Sequence, residues 1–376
     1  MGAKSYIHRE PLGVVGMISP WNFPMYLSLA PLAGIFSAGN QVMHKPSEFT
    51  PITSELLKEI CDSAFDETEF ATFLGGPDIG AAFTQLKFDH LLFTGSGNIG
   101  KHVMRAASEN LVPLTLELGG KSPVIVSDSS NIDITARRVM FNKTLNAGQI
   151  CLAPDYVYVH ETEKDNFVEA CKDQVNEFYS DLKYNPDYTS VINQKHYDRL
   201  NGLLADAKDH GAELVEINPA NEDFSQQESH KIPPTLVLNP TDEMQIMKEE
   251  IFGPLLPIKT YKDINEPINY INKNDKPLGL YYFGNNKNEE AKVVNSTTSG
   301  GVTVNDIMWH IQQNELGFGG VGPSGMGKYD GFDGFMNFSN NKPIYKQIGF
   351  GLDKFLDAIR PPYKGSIEDV LKKLLK

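Results

Sequence analysis

The chain has 376 residues, of which 40% are hydrophobic and 22% are charged, a composition typical of a globular protein long enough for two domains. Its formal net charge of −14 disfavours non-specific binding to nucleic acid and to anionic membrane surfaces. The three cysteines form neither a metal-type pair nor a disulfide framework, so we expect a reducing compartment, the cytoplasm.

Short apolar runs alternate with helical patterns through the first third of the chain. An uncharged run at residues 11–44 is long enough for a membrane span, but its prolines at 20, 24 and 31 would break the helix. We predict strands at residues 14–19, 41–44, 70–74 and 90–94, helices at 25–37 and 53–64, and a loop at 95–100 that leads into a helix reaching 107. This alternation predicts an α/β fold with a doubly wound parallel sheet in residues 1–119.

A second α/β domain is predicted from residue 120 to residue 306. Its expected strands are residues 123–127 and 156–160, its expected helices are 167–182 and 196–210, and the polar segment 218–231 is expected to be a surface loop. The glycine-rich segment 317–327 predicts a mobile or close-packed loop. We expect residues 307–376 to return to the first domain and to add an oligomerisation element and a C-terminal tail.

A single cysteine, Cys151, follows another predicted helix. Ile134, Phe141 and Leu145 recur at helical spacing, and residues 146–148 then interrupt the pattern. A thiol on such a turn is exposed and yet held still, as a nucleophile requires. The alternative is a buried cysteine that packs as a small hydrophobe.

Residues 95–100 read Gly-Ser-Gly-Asn-Ile-Gly, which is the spacing of a dinucleotide-binding loop. Read literally, this fingerprint makes Glu117, about 20 residues farther on, the ribose-binding acid. Glu48, together with Lys45, is another candidate for binding the ribose, because both residues follow the second predicted strand and a ribose hydroxyl could contact both. The alternative is structural: residues 95–100 would form a loop that only packs against the fold, and Lys45 and Glu48 would form a surface ion pair.

Two polar residues in unusual surroundings are candidates for catalysis. Asn22 lies between two prolines that fix its backbone, and an amide held in this way can donate to a developing oxyanion. Glu117 lies in an apolar strand, where partial desolvation raises the pKa of a carboxyl and suits it to general base work. The alternatives are an asparagine that satisfies its own turn and a structural buried glutamate.

Six ordered runs resemble the aldehyde dehydrogenase superfamily, and the resemblance extends over residues 11–346. They are Pro-Trp-Asn-Phe-Pro at 20–24, Lys-Pro-Ser-Glu at 45–48, Phe-Thr-Gly-Ser at 93–96, Leu-Glu-Leu-Gly-Gly-Lys at 116–121, Gly-Gln-Ile-Cys at 148–151 and Glu-Glu-Ile-Phe-Gly-Pro at 249–254. The runs at 151–156, 185–190 and 319–327 resemble the class-3 and coniferyl aldehyde dehydrogenase branch in particular.

The resemblance implies a role for each candidate residue. Cys151 is implied as the nucleophile, Glu117 as the general base, and the Asn22 amide with the Cys151 backbone N–H as the oxyanion hole. The implied cofactor-binding residues are Trp21, Lys45, Glu48, Gly95, Ser96, Gly100, Glu250 and Phe252. Among these, Lys45 and Glu48 would hold the adenosine ribose and Glu250 the nicotinamide ribose.

The implied reaction is the oxidation of an aldehyde to the carboxylic acid with NAD(P)+ through a thiohemiacetal and a thioester on Cys151. The substrate is expected to be aromatic, such as coniferyl aldehyde, or medium-chain aliphatic. NAD is expected over NADP, because the Glu48 carboxylate repels a 2′-phosphate. No metal is implied, and the expected partners are the small-molecule aldehyde and further copies of the chain in a homodimer or homotetramer.

The resemblance also implies a longer segment ahead of residues 20–24 than this sequence has. From this we hypothesise that the chain as given binds NAD weakly, self-associates and has little dehydrogenase activity. An alternative function is a catalytically silent paralogue that acts as an oligomer-forming or regulatory protein. A second alternative is an enzyme that transfers the acyl group to CoA or phosphate.

Overall fold

The computed structural model describes residues 3–347, 360–361 and 367–375. The chain divides into two compact units, Leu12–Phe338 and the pair of segments Met1–Pro11 and Ser339–Lys376. No helix among the described residues is long and apolar enough to cross a membrane. Within the same residues, no group of three His, Cys, Asp or Glu side chains is placed to hold a metal ion. Residues 348–359 and 362–366 of the predicted C-terminal tail lie outside the described part of the chain.

The smaller unit contains an antiparallel two-stranded ribbon. Its strands are β1 (Lys4–Pro11) and β15 (Ser339–Lys346), paired from Lys4 opposite Lys346 to Pro11 opposite Ser339. The helix α12 (Ile367–Leu374) also belongs to this unit.

The first sheet of the larger unit has six strands. They are β2 (Val14–Ile18), β3 (Gln41–Lys45), β4 (Phe70–Thr72), β5 (His90–Thr94), β6 (Leu114–Glu117) and β14 (Gly325–Met326). Their order is β14-β6-β5-β2-β3-β4, and every neighbouring pair is parallel except β14 and β6. The predicted parallel α/β architecture is confirmed.

Helices connect these strands as the alternating pattern predicts. They are α1 (Tyr26–Ser37), α2 (Pro51–Ala64), α3 (Pro77–Thr84), which was not predicted, and α4 (Gly97–Ser108). The short helix α11 (Gly331–Asn337) follows β14, after the second sheet. The predicted loop through residue 100 is wrong, because α4 already begins at Gly97. Ser96 is its N-cap, and the Ser96 side chain accepts a hydrogen bond from the Ile99 N–H, which lets the helix start inside the glycine motif.

The second sheet has seven strands. They are β7 (Pro123–Val126), β8 (Tyr156–His160), β9 (Glu213–Glu216), β10 (Thr235–Leu238), β11 (Leu255–Tyr261), β12 (Gly279–Phe283) and β13 (Gly301–Val304), in the order β13-β12-β7-β8-β11-β10-β9. Only the pair β9 and β10 among them is antiparallel. Strands β7, β10 and β12 are buried along their whole length, as parallel strands covered on both faces require.

The helices of this part lie between and beside the strands. They are α5 (Ile132–Thr144), α6 (Lys164–Phe178), α7 (Gln194–Asp209), α8 (Gln245–Lys248), α9 (Asn265–Lys273) and α10 (Lys287–Ser296), with short 3-10 turns at Leu145–Gly148, Glu161–Glu163 and Trp309–Gln312. The polar segment 218–231 is a loop, as predicted. The helix predicted to reach residue 182 ends at Phe178.

The helix before Cys151 exists, but its buried face differs from the one that the apolar spacing suggests. Phe141 and Ile134 are 52% and 48% exposed, whereas Val139 and Met140 are fully buried. Val139 and Met140 pack into the core of the second sheet. The exposed apolar face of α5 is therefore available to line a cavity.

Candidate active site

All eleven residues predicted for the site line one continuous cavity of about 2640 Å³. They are Trp21, Asn22, Lys45, Glu48, Gly95, Ser96, Gly100, Glu117, Cys151, Glu250 and Phe252. Those from the first sheet follow or end β2, β3, β5 and β6, because the carboxyl ends of parallel strands meet at one edge of a sheet. Cys151, Glu250 and Phe252 come from loops of the second sheet.

The loop that carries Cys151 begins with two strained residues. Asn146 and Ala147 have φ angles of 50° and 51°, in the left-handed region that costs a non-glycine residue about 1 kcal/mol or more. The side chain of Gln149 holds the loop, since it donates to the Asn146 and Ser190 carbonyls at 2.9 and 3.1 Å. This backbone path turns the chain sharply between α5 and Cys151.

Asn22 is hydrogen-bonded directly to this loop. The Asn22 Nδ2 donates to the Gln149 backbone carbonyl at 3.1 Å. The Asn22 backbone carbonyl accepts from Asn146 Nδ2 at 3.1 Å. One hydrogen of the Asn22 amide is thereby used to fix the side chain beside the cysteine turn. The other hydrogen stays available to a substrate oxygen in the cavity.

A buried lysine closes the far side of the same loop. Lys143 is 1% exposed, and its Nζ donates to the Pro154 carbonyl at 2.8 Å. This bond joins the end of α5 to the residue three positions beyond Cys151. Burial lowers the pKa of Lys143 to about 7. Nothing in the local sequence distinguishes Lys143, because a lysine in a helix ordinarily lies in solvent.

The Cys151 thiol interacts with two carboxyl groups, those of Glu250 and Glu117. Cys151 as a residue is partly exposed, whereas Cys61 and Cys171 are buried. Burial of the thiol, followed by the charges of Glu250 and Glu117, raises the pKa of Cys151 to about 12. The thiol is therefore protonated at neutral pH in this arrangement, and a base must take its proton when it attacks.

Glu117 is suited to be that base. It is the last residue of β6, it is 2% exposed, and neither of its carboxyl oxygens has a hydrogen-bond partner among the described residues. Burial and then the charge of Asp330 raise the pKa of Glu117 well above its ordinary value. A carboxyl with a raised pKa binds a proton more strongly, which is what general base catalysis near neutral pH requires.

The loop that carries Glu250 is held by a partly buried ion pair, Lys121 with Asp155. Lys121 pairs with Asp155 and also donates to the Ile246 and Glu249 carbonyls at 2.7 and 2.9 Å. Asp155 in turn accepts from the Ile251 N–H at 2.8 Å. The two charges thus fix the loop on both sides of Glu250.

The Glu250 carboxyl itself lies against Gly119. A Cβ at Gly119 would be 2.1 Å from Glu250 Oε1, so a larger residue at position 119 would displace the carboxyl from this position. Burial raises the pKa of Glu250 to about 8, and its Oε1 has no partner among the described residues. Phe252, held at a φ of 48°, meets Trp21 edge to face with ring centroids 5.5 Å apart.

At the other end of the cavity, Lys45 Nζ and Glu48 Oε2 form an ion pair at 2.8 Å. Nearby, Gly95 and Ser96 lead into the N-terminus of the 12-residue helix α4. The free N–H groups and the dipole at such a terminus favour an anion. No other atom lies within 4 Å of a Cβ placed on Gly97, so the approach to this terminus is open.

These features fit a dinucleotide cofactor. The helix terminus suits a pyrophosphate, the Glu48 carboxylate can accept from ribose hydroxyls, and the orphaned Glu250 Oε1 is a second acceptor beside Cys151. The cavity joins all three positions without interruption. The assignment of Glu117 as the ribose-binding acid, which the spacing of the glycine motif suggests, agrees less well with the structure. Glu117 is buried on the cysteine side of the cavity.

The comparisons with known proteins agree with this geometry. The model of the aldehyde dehydrogenase family matches residues 1–344. The chain is 55% identical to a probable coniferyl aldehyde dehydrogenase of Caulobacter vibrioides and 52% identical to a coniferyl aldehyde dehydrogenase of a Pseudomonas species, in each case over 100% of this chain and 77% of the relative. A substrate-bound structure of Staphylococcus aureus AldH superposes with a TM-score of 0.90 at 41% identity, covering 100% of this chain and 80% of that one. The NAD+ complex of S. aureus betaine aldehyde dehydrogenase has a TM-score of 0.83 at 27% identity, covering 93% and 71%.

Proposed function

Because the chain belongs to the aldehyde dehydrogenase family, we propose that it oxidises an aromatic aldehyde with NAD and that Cys151, Glu117 and Asn22 perform the chemistry. The oxidation of an aldehyde to its acid with a nicotinamide cofactor follows from the family itself. The aromatic substrate, the preference for NAD and the residue roles are the proposal. The observation that supports it best is that the partly exposed Cys151, the carboxyls of Glu117 and Glu250, and the fixed amide of Asn22 all line one cavity.

The first step is attack of the Cys151 sulfur on the aldehyde carbon. Because the pKa of the thiol is raised to about 12, its proton must pass to a base as the S–C bond forms, and Glu117 is the base. The aldehyde oxygen becomes an oxyanion, which accepts from the second Asn22 amide hydrogen and from the Cys151 backbone N–H. Donors fixed in advance stabilise such a charge without reorganising.

The second step oxidises the bound carbon and releases the acid. When bound, the cofactor supplies the acceptor for the aldehyde hydride. Cys151 then holds a thioester. Glu117 first releases the thiol proton to solvent, and its carboxylate then takes a proton from the water that attacks the thioester carbon. The sulfur leaves as a thiolate, the acid is freed, and the second proton passes from Glu117 to the thiolate before the next turnover.

The residues proposed to hold the cofactor are Lys45 and Glu48 at the adenosine ribose, Ser96 at the pyrophosphate, and Glu250 at the nicotinamide ribose. The Glu48 carboxylate can accept from both ribose hydroxyls and repels a 2′-phosphate, which supports NAD over NADP. The nearby Lys45 ammonium, at 2.8 Å, offsets part of that repulsion. We therefore propose a preference for NAD rather than exclusion of NADP, with the first sheet as the cofactor-binding domain.

An aromatic substrate is supported by the apolar wall on the cysteine side of the cavity. Phe141 and Phe178 meet edge to face there with centroids 6.3 Å apart, and Trp309 lines the same cavity. The coniferyl aldehyde dehydrogenases among the relatives are named for an aromatic aldehyde.

The test is steady-state formation of NADH with coniferyl aldehyde and with hexanal, each with NAD and with NADP, together with identification of the product. We expect the free carboxylic acid and a higher kcat/KM for coniferyl aldehyde and for NAD. Formation of acyl-CoA or acyl phosphate when CoA or phosphate is present would contradict hydrolysis by water. Light scattering tests the proposed homodimer or homotetramer.

A further inference from the structure

One face of α5 combines exposed apolar side chains with a charged one. Ile134, Phe141 and Leu145 recur along this face and are all exposed. Arg138 follows Ile134 by four residues and precedes Leu145 by seven, so the helical repeat places it on the same face. All four residues line the cavity that contains Cys151. The helix therefore presents to the cavity an apolar surface with a guanidinium in it.

The Arg138 guanidinium is held from one side. Its Nε lies 3.5 Å from Asp306 Oδ2, and its Nη1 donates to the Asn305 carbonyl. A guanidinium has five N–H donors, and the other three have no partner among the described residues. Asp306 also lines the cavity, and its Oδ1 accepts from the Ile307 N–H at 2.8 Å. The ion pair is thus fixed in place and still has donors and acceptor positions for a ligand.

The loop that Arg138 holds is strained and leads to the cysteine. Asn305 and Met308 have φ angles of 57° and 64°, which non-glycine residues adopt only where the surrounding structure enforces them. Met308 packs against the same apolar cluster as Cys151, and Trp309 lines the cavity. The loop therefore forms a second wall of the cavity beside α5.

The position of Arg138 along α5 sets the length of a ligand that could reach both the thiol and the guanidinium. Leu145 begins the turn that leads to Cys151, and it lines the cavity together with Ile150. Arg138 lies seven residues before Leu145, which is about 10 Å along a helix. Phe141 lies between them, one turn from each. An aldehyde whose carbonyl carbon is at Cys151 therefore has room for an aromatic ring against Phe141 before it reaches Arg138.

We propose that Arg138, together with Asp306, determines specificity by binding a hydroxyl group at the far end of the aromatic ring of the substrate. The inference rests on the proposed function and deepens it, since it names the substrate class as hydroxylated aryl aldehydes with a short chain between ring and carbonyl.

The chemistry of the ion pair selects a hydroxyl. A phenol hydroxyl both accepts and donates a hydrogen bond, so it accepts from a free Arg138 N–H and donates to the Asp306 carboxylate. A carboxylate at the same place would be repelled by Asp306. An aliphatic or unsubstituted aromatic aldehyde would leave both charged groups without this partner, and a site built to bond a hydroxyl discriminates against such analogues.

The experiment measures kcat/KM for 4-hydroxycinnamaldehyde and for cinnamaldehyde, which differ only in that hydroxyl, with the acid product quantified by chromatography. We expect the unaltered protein to prefer the hydroxylated aldehyde on the order of tenfold, as for a hydrogen bond to a charged group. Arg138→Met keeps the apolar stem and should lose this preference. The matched control is Arg137→Met, one residue away on α5, because the Arg137 guanidinium pairs with Glu177 at 2.7 Å; this variant should keep the preference.

The ratio between the two aldehydes separates recognition from support of the loop. If Arg138 only holds the loop of Asn305, Arg138→Met will slow both aldehydes equally and keep their ratio, which would overturn the proposal. An unaltered protein without a preference for the hydroxylated aldehyde would overturn it as well. Faster oxidation of hexanal than of cinnamaldehyde would instead contradict the aromatic substrate of the proposed function, and the hydroxyl ratio would still test Arg138.

Discussion

Replacement of the buried Lys143 by methionine is expected to make the protein more stable at neutral pH. Burial lowers the pKa of Lys143 from 10.5 to about 7, which corresponds to about 5 kcal/mol against folding, at about 1.4 kcal/mol per pKa unit. Methionine keeps the apolar stem and removes the charge. The variant also leaves the Pro154 carbonyl without its donor, which costs about 1–3 kcal/mol. The expected net gain in the free energy of unfolding is about 2–4 kcal/mol at pH 7.

The pH dependence follows from the protons bound in each state. Between the folded pKa of about 7 and the unfolded value of 10.5, the unfolded chain holds a proton on Lys143 that the folded protein has released. Stability of the unaltered protein therefore rises with pH in this window through this residue. The advantage of the methionine variant is complete below pH 7 and shrinks as the pH rises towards 10.5.

The assay is urea unfolding of both proteins at about pH 6.5 and about pH 9.5, with the free energy of unfolding extrapolated to water. The control is Lys172→Met on α6, whose side chain is 39% exposed and paired with Glu169, and whose replacement should change stability by no more than about 0.5 kcal/mol. A Lys143→Met variant less stable than the unaltered protein at neutral pH, or a difference that does not vary with pH, would refute the reasoning. Because the Lys143 bond closes the loop of Cys151, we expect the more stable variant to oxidise aldehyde more slowly.

Three further predictions concern the site. Glu48→Gln should raise kcat/KM for NADP relative to NAD, because it removes the charge that repels a 2′-phosphate; an unchanged ratio in steady-state kinetics would exclude Glu48 from cofactor choice. Cys151→Ser should abolish aldehyde oxidation, and brief iodoacetamide treatment followed by mass spectrometry should find Cys151 labelled before Cys61 and Cys171, which are 1% and 0% exposed; the reverse order would count against Cys151. Since burial raises the pKa of Glu117, the rate of thioester hydrolysis should rise with pH above the ordinary carboxyl range and lose that rise in Glu117→Gln; a pH profile shared by both proteins would disprove the base.

Local sequence patterns were sufficient for strands β2 to β5 and for helices α1 and α2, but they missed α3 and β14 and began α4 too late. The short apolar runs that became β2 and β5 lie between prolines, glycines and polar turns, and these signals act within a few residues of one another. The same is true of the runs that hold Cys151, Glu117 and Asn22, since each combines a reactive side chain with its own turn or strand. The domain boundaries and the residue roles stay predictions.

Tertiary structure decided which side chains are buried and which groups meet. The helical spacing of Ile134 and Phe141 predicted the helix α5 but not which of its faces is buried. The buried face is decided by the elements that pack against the helix. Lys143 reads as a surface lysine until the cysteine loop folds over it. The placement of Gly325 opposite Glu117 depends on the pairing of β14 with β6, two segments separated by about two hundred residues, including the whole second sheet. Contacts of this kind are fixed by packing and strand pairing between distant parts of the chain, and no local pattern specifies them.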